Sequence, residues 1–135
     1  MTLPVLYILM RDDLDSLNPG KAMAQASHAS NAFVKAHQGD DQSKPGFYLY
    51  GQWECETSQG FGTVLVLACN ETAMNTAVNV AEYCGFSSGV VHDPTYPIAD
   101  GDVVHHIPLD TCGYVFGDKD DPVLQSILQH FELHL

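Results

Sequence analysis

The chain reads as an α/β protein, a small sandwich built around a mixed sheet, and three observations predict it. Two short apolar runs, residues 4–10 and 63–68, are rich in strand formers and show no polar alternation, as strands buried on both faces do. Each is followed by a stretch whose apolar residues recur at helical spacing. The order of elements, strand–helix twice and then two strands and a helix, suits layers packed around one sheet. At 135 residues the chain is long enough to bury a core as one domain, residues 1–135.

The first strand is Pro-Val-Leu-Tyr-Ile-Leu-Met. A polar turn, Arg11 to Leu17, delivers the chain to the first helix. There Asn18 is a good N-cap and Pro19 suits the first helical position. At about 100° per residue, Lys21, Gln25 and His28 fall on one face, while Ala22, Ala26, Ala29 and Phe33 form the neighbouring core face. Residues 38–59 are irregular and receive no firm assignment; their aromatics, Phe47, Tyr48, Tyr50 and Trp53, read as satellite core packing, with base stacking as the alternative. The second strand, Thr63 to Ala68, follows a Gly60-Phe61-Gly62 turn. Asn70 caps a second helix with the stripe Met74, Ala77, Val78 and Ala81, and Gly85 closes it. A third strand, Ser88 to His92, runs into a turn at residues 93–97, and a fourth covers Asp102 to Ile107. Asp121 and Pro122 start a last helix with Val123, Leu124, Ile127, Leu128 and Phe131 inward.

The net charge of −12 argues against an ordinary nucleic-acid binder, which needs cations to displace phosphate counterions. The imbalance is uneven. Residues 1–44 hold four cations, Arg11, Lys21, Lys35 and Lys44, against five aspartates. Residues 45–135 hold only Lys119 against twelve carboxylates, so a polyanion would have to approach the side of the first helix. No apolar run approaches the ~20 residues of a membrane span. The N-terminus lacks a basic region ahead of an apolar one, which argues against a signal peptide. Cys55, Cys69, Cys84 and Cys112 are widely spaced and read as reduced thiols, pointing to the cytoplasm.

Phosphate-binding glycine loops, zinc-protease motifs and nucleophile elbows are missing. Of the seven histidines, neighbours such as His105 and His106 would point to opposite faces of a strand, so no protein-held metal is expected. The stripe Lys21, Gln25 and His28 has two readings: a solvated polar face, or a site at the positive end of a helix dipole that favours an oxygen gaining charge. Asp93 also has two. It is either a turn cap, or a carboxylate held at a rigid sheet edge by Pro94 and Pro97 and able to orient water beside Lys21.

Two stretches, Tyr7-Ile8-Leu9-Met10-Arg11-Asp12-Asp13-Leu14 and Gly20-Lys21-Ala22-Met23-Ala24-Gln25-Ala26-Ser27-His28-Ala29, resemble the opening of the second class of peptidyl-tRNA hydrolases, the archaeal and eukaryotic type. That family pairs an Arg-x-Asp-Leu loop with a Gly-Lys-x-Ala-Ala-Gln-x-x-His-Ala helix. The later Val90-Val91-His92-Asp93 and Gly101-Asp102-Val103-Val104 resemble its third and fourth strands, and the likeness spans roughly residues 4–108. It implies a three-layer sandwich with a mixed four-stranded sheet, helices on both faces, and often a homodimer. It also implies an esterase that needs neither cofactor nor metal and frees tRNA from peptidyl-tRNA. Carried across, Lys21 and Asp93 match the positions most associated with catalysis, Gln25 and His28 the motif's amide and imidazole, and Thr95 is the candidate for the family's threonine. Arg11, Asp12 and Gly20 match positions near the site, and Lys35 adds a cation on the same helix for the tRNA backbone.

The chain departs from the family in two places. Asp93-Pro94-Thr95-Tyr96-Pro97-Ile98 is one residue shorter than the family's Asp-Ala-Gly-x-Thr-x-Ile, and residues 110–117 differ from its ending. The expected function is hydrolysis of the peptidyl-tRNA ester by water, with Asp93 orienting the water and Lys21 meeting the oxyanion. So few cations predict weak, strongly salt-sensitive binding of tRNA. The alternative is a catalytically silent relative that binds a protein or small molecule, which a cleft plugged by Tyr96 or by residues 110–117 would favour.

Overall fold

The computed structural model describes residues 2–39 and 41–134. Strand β1 (Pro4–Arg11) is buried along its whole length and lies at the centre of the sheet. It pairs in parallel with β2 (Thr63–Cys69) and antiparallel with β4 (Val103–Asp118). Strand β3 (Ser87–Asp100) pairs antiparallel with β4, and β5 (Glu132–Leu133) pairs antiparallel with β2, so the order is β3-β4-β1-β2-β5. The sheet therefore has five strands rather than four. The fifth is two residues long, too short for any periodicity to reveal it.

Alternate residues of β1 feed two cores. Leu6, Ile8 and Met10 face helices α1 (Pro19–Ala36) and α2 (Phe47–Glu54), where they meet Ala29, Phe33, Tyr50 and Trp53. Val5, Tyr7 and Leu9 face α3 (Glu71–Tyr83) and α4 (Pro122–Leu128), against Met74, Ala77, Val78, Ala81, Leu124 and Leu128. Two helices on each face make the three layers. Asn18 and Asn70 cap α1 and α3 by accepting from the backbone N–H groups of Lys21 and Ala73. Helix α2 fills the region the sequence left unassigned. Its Trp53 indole N–H donates to the Thr63 carbonyl at 2.9 Å, tying it to the start of β2. Helix α4 stops at Leu128; Phe131 packs on the same core from just beyond it, and Val123 faces solvent.

The largest correction concerns β3 and β4. The turn expected at residues 93–97 is an irregular stretch inside β3, and β4 continues eleven residues past Ile107, through the segment that departs from the family pattern. That inner half, Cys112 to Asp118, is the part paired with β1. Its glycines disguise it. A Cβ on Gly113 would stand 3.0 Å from Val78 of α3, and one on Gly117 would stand 2.8 Å from Leu124 of α4. Glycine is there because the helices press on the strand. The two-residue loop between the strands places Gly101 at φ +60°, the conformation that its first position requires.

Candidate active site

Two β-bulges set the site opposite α1. Val91 pairs with Cys112 and His92 with Asp110, which leaves Thr111 as an extra residue on β4. Asp93 pairs with Leu109 and Tyr96 with Ile107, so Pro94 and Thr95 stand against the single Pro108. A bulge re-aims the side chains around it. In a regular strand Thr111 and Cys112 would point to opposite faces. Here both reach Gln25: the Thr111 hydroxyl donates to the side-chain Oε1 at 2.6 Å and the Cys112 thiol to the backbone carbonyl at 3.4 Å.

This geometry fixes Gln25, which is buried within α1 rather than lying in a solvated stripe. A carboxylate only accepts, so the amide must turn its NH₂ toward Asp93 and its oxygen toward Thr111. Gln25 Nε2 donates to Asp93 Oδ2 at 2.7 Å, and the Thr95 backbone N–H and hydroxyl reach Oδ1 at 2.9 and 3.4 Å. Burial pushes the Asp93 carboxyl up, yet the bonds from Gln25 and Thr95 and the nearby His28 outweigh it. The group is held below the usual carboxylate range. His28 itself is exposed on the helix surface.

Lys21, one turn earlier on the helix, donates from Nζ to the Pro97 carbonyl at 2.8 Å, with its ammonium 5.3 Å from the centre of the Tyr96 ring. Among the described residues it pairs with no carboxylate. Tyr96 is fully buried and its hydroxyl shares a 3.1 Å hydrogen bond with Ser16. The first loop, the bulged half of β3 and the start of α1 thus meet at one place, with Lys21 and Asp93 both bound to that stretch of β3.

Arg11 lies beneath, with 7% of its surface exposed. Its guanidinium donates to Asp13 at 2.8 Å, Glu71 at 2.6 Å and the Asp110 carbonyl at 3.0 Å. Burial opposes its charge, but the carboxylates prevail and its pKa is raised. It joins the end of β1, the start of α3 and the residue before Thr111. Asp12 and Gly20 are exposed. Lys35 is exposed near the far end of α1, about 21 Å along the axis from Lys21 at ~1.5 Å per residue.

The sequence model of peptidyl-tRNA hydrolase PTH2 matches residues 4–133. The chain belongs to the PTH2 family. No curated protein matches it significantly. Among solved structures it is similar to a protein of unknown function from Agrobacterium tumefaciens strain C58, at 11% identity and a TM-score of 0.58 over all of both chains, a likeness of fold alone.

In this PTH2 chain, Lys21, Gln25, Asp93 and Thr95 are brought into one hydrogen-bonded neighbourhood, with His28 close enough to act on the charge of Asp93. Arg11 is enclosed below it, and Lys35 stands apart. Residues 110–117, considered as a plug, are sheet interior, and Tyr96 packs under Lys21. Sequence reasoning missed Thr111, because a bulge leaves no mark in local composition. It also missed the hydrogen bond between Ser16 and Tyr96, which joins residues 80 apart in the chain. His105 and His106 take different partners, Asp100 and the Thr95 carbonyl. Among the described residues no group of three metal-ligating side chains converges, and no helix is long and apolar enough to cross a membrane.

Proposed function

We propose that this chain hydrolyses the ester joining a peptide to the ribose of tRNA. The observation that carries the reading is the Asp93 carboxylate, kept ionised by Gln25 and Thr95 on the same stretch of β3 that anchors Lys21. Family membership supplies the substrate class.

Asp93 accepts a hydrogen bond from a water molecule and takes its proton as the water oxygen bonds to the ester carbon. Negative charge gathers on the former carbonyl oxygen. The Lys21 ammonium meets it with a donor not committed to Pro97, since an ammonium has three. When the tetrahedral species collapses, the ester C–O bond breaks and the ribose oxygen receives the proton held by Asp93. A carboxyl with a depressed pKa releases that proton readily. His28 helps keep Asp93 ionised, and Thr95 orients its second oxygen. We read Arg11 as the anchor of the loop rather than a contact to phosphate, because it is buried and four of its five N–H donors are already engaged.

The test is release of tRNA from a defined peptidyl-tRNA at low salt, with and without chelator. Lys21→Ala and Asp93→Ala are each expected to lower turnover by about 10²–10³-fold, with no effect of the chelator. A well-folded wild type without turnover overturns the reading.

A further inference from the structure

A cavity of about 670 Å³ opens at the carboxyl ends of β1 and β2, on the flank of α1 opposite Asp93. Its floor is apolar, with Met10 and Val66 from the sheet and Ala22 and Ala26 from the helix. Met23 and Leu133 also line it and are 69% and 60% exposed, so an occupant would cover both side chains. Asp12, Glu132 and His134 also line it, with Asn18 and Pro19 at the start of α1, while no lysine or arginine does. This volume lies in the range of small-ligand sites, and its position is where open α/β sheets place them.

The chemistry selects an occupant. Two carboxylates beside an apolar floor repel phosphate and favour an apolar group, with a cation tolerated at the rim. Of the two halves of a peptidyl-tRNA, only the peptide fits. The route from the ester is open as well. Viewed down α1, Lys21 and Met23 are about 160° apart around the outer face, and the residues between them, Gly20, Ala24 and Ser27, are small and exposed. At a side-chain radius of about 5–6 Å that arc is about 15 Å, or four to five extended residues at ~3.3 Å each.

We infer that this cavity receives the peptide moiety, taking an apolar side chain about four to five residues from the ester while Asp12 and Glu132 face a free N-terminal ammonium. The inference rests on the hydrolase reading and gives that site a length and polarity preference for its substrate. A buried leucine-sized side chain is expected to lower KM by about tenfold.

The experiment compares peptidyl-tRNAs carrying one, three and five leucines, and one carrying five glutamates. Wild type is tested against Met23→Glu and Leu133→Glu, both at exposed positions outside the catalytic cluster. Binding of a labelled free leucine pentapeptide is measured in parallel. The expected result is a KM about tenfold lower for five leucines than for one, lost in both variants, with the one-leucine substrate unaffected. Turnover that ignores length, or an advantage that survives both substitutions, overturns the cavity assignment and leaves the hydrolase standing. No turnover combined with pentapeptide binding that both variants abolish overturns the hydrolase and leaves the cavity as a peptide site. Absence of both turnover and binding overturns both.

Discussion

Asp93 shows how one side chain can be set by residues far away in the chain. Burial alone would favour its neutral form; Gln25, 68 positions earlier, and Thr95 keep it charged. Gln25 in turn depends on Thr111, which is fully buried. Replacing Thr111 by Val should leave the amide oxygen of Gln25 buried without a donor, at about 1–3 kcal/mol of stability. It should also free the amide to turn away from Asp93. With that bond gone and the desolvation still present, the carboxyl pKa rises. In the proposed mechanism the ionised carboxylate is the active form, so the acid limb of kcat/KM should lie below the ordinary carboxylate range in wild type and move to higher pH in the variant. Thr111→Ser keeps the hydroxyl and should keep the profile. Thermal unfolding and the two pH profiles check this; a Val variant with loss of stability but an unmoved acid limb would make Thr111 structural only.

At the scale of elements, the hairpin of β3 and β4 is where sequence and structure part most. The apolar runs of β1 and β2, the caps at Asn18 and Asn70, and the stripe from Met74 to Ala81 were all legible, because each rests on local chemistry repeated over several residues. The inner half of β4 was not, since Gly113 and Gly117 look like breakers until helices α3 and α4 are seen against them. Gly113→Val should therefore overpack α3 by way of Val78 and Met74, costing about 1–3 kcal/mol. The urea midpoint should fall, with catalytic parameters per folded molecule little changed. A variant as stable as wild type would show that β4 and α3 are less tightly apposed than this.

At the scale of the whole molecule, the surface is acidic and its few cations are partly committed. Arg11 is enclosed by Asp13, Glu71 and the Asp110 carbonyl, and Lys44 donates to the Ala36 carbonyl at the end of α1. Only Arg11 is fully enclosed; Lys21, Lys35 and Lys44 still have ammonium donors to offer phosphate on the side of the first helix, about three contacts, so the logarithm of tRNA affinity should fall with the logarithm of salt at a slope of only about −2 to −3. The structure thus revises the strong salt dependence expected from counting cations. A titration of binding between low and moderate salt measures the slope; a value near −6 would demand a basic surface this fold does not display.

The sequence by itself determined the two-faced burial of the first strand, three of the four helices with their caps, and the alignment of Lys21, Gln25 and His28 on one side of α1. These are consequences of period and propensity, which act over a few residues. Only the tertiary structure decided that Gln25 is buried, that Thr111 holds it, that Arg11 is a tie between elements, and that β4 runs on through the core. Each depends on a register shift or a close approach between different segments of the chain, 86 residues apart for Gln25 and Thr111 and 99 for Arg11 and Asp110, and the shift has no local signature because a bulge changes where side chains point without changing which residues are there.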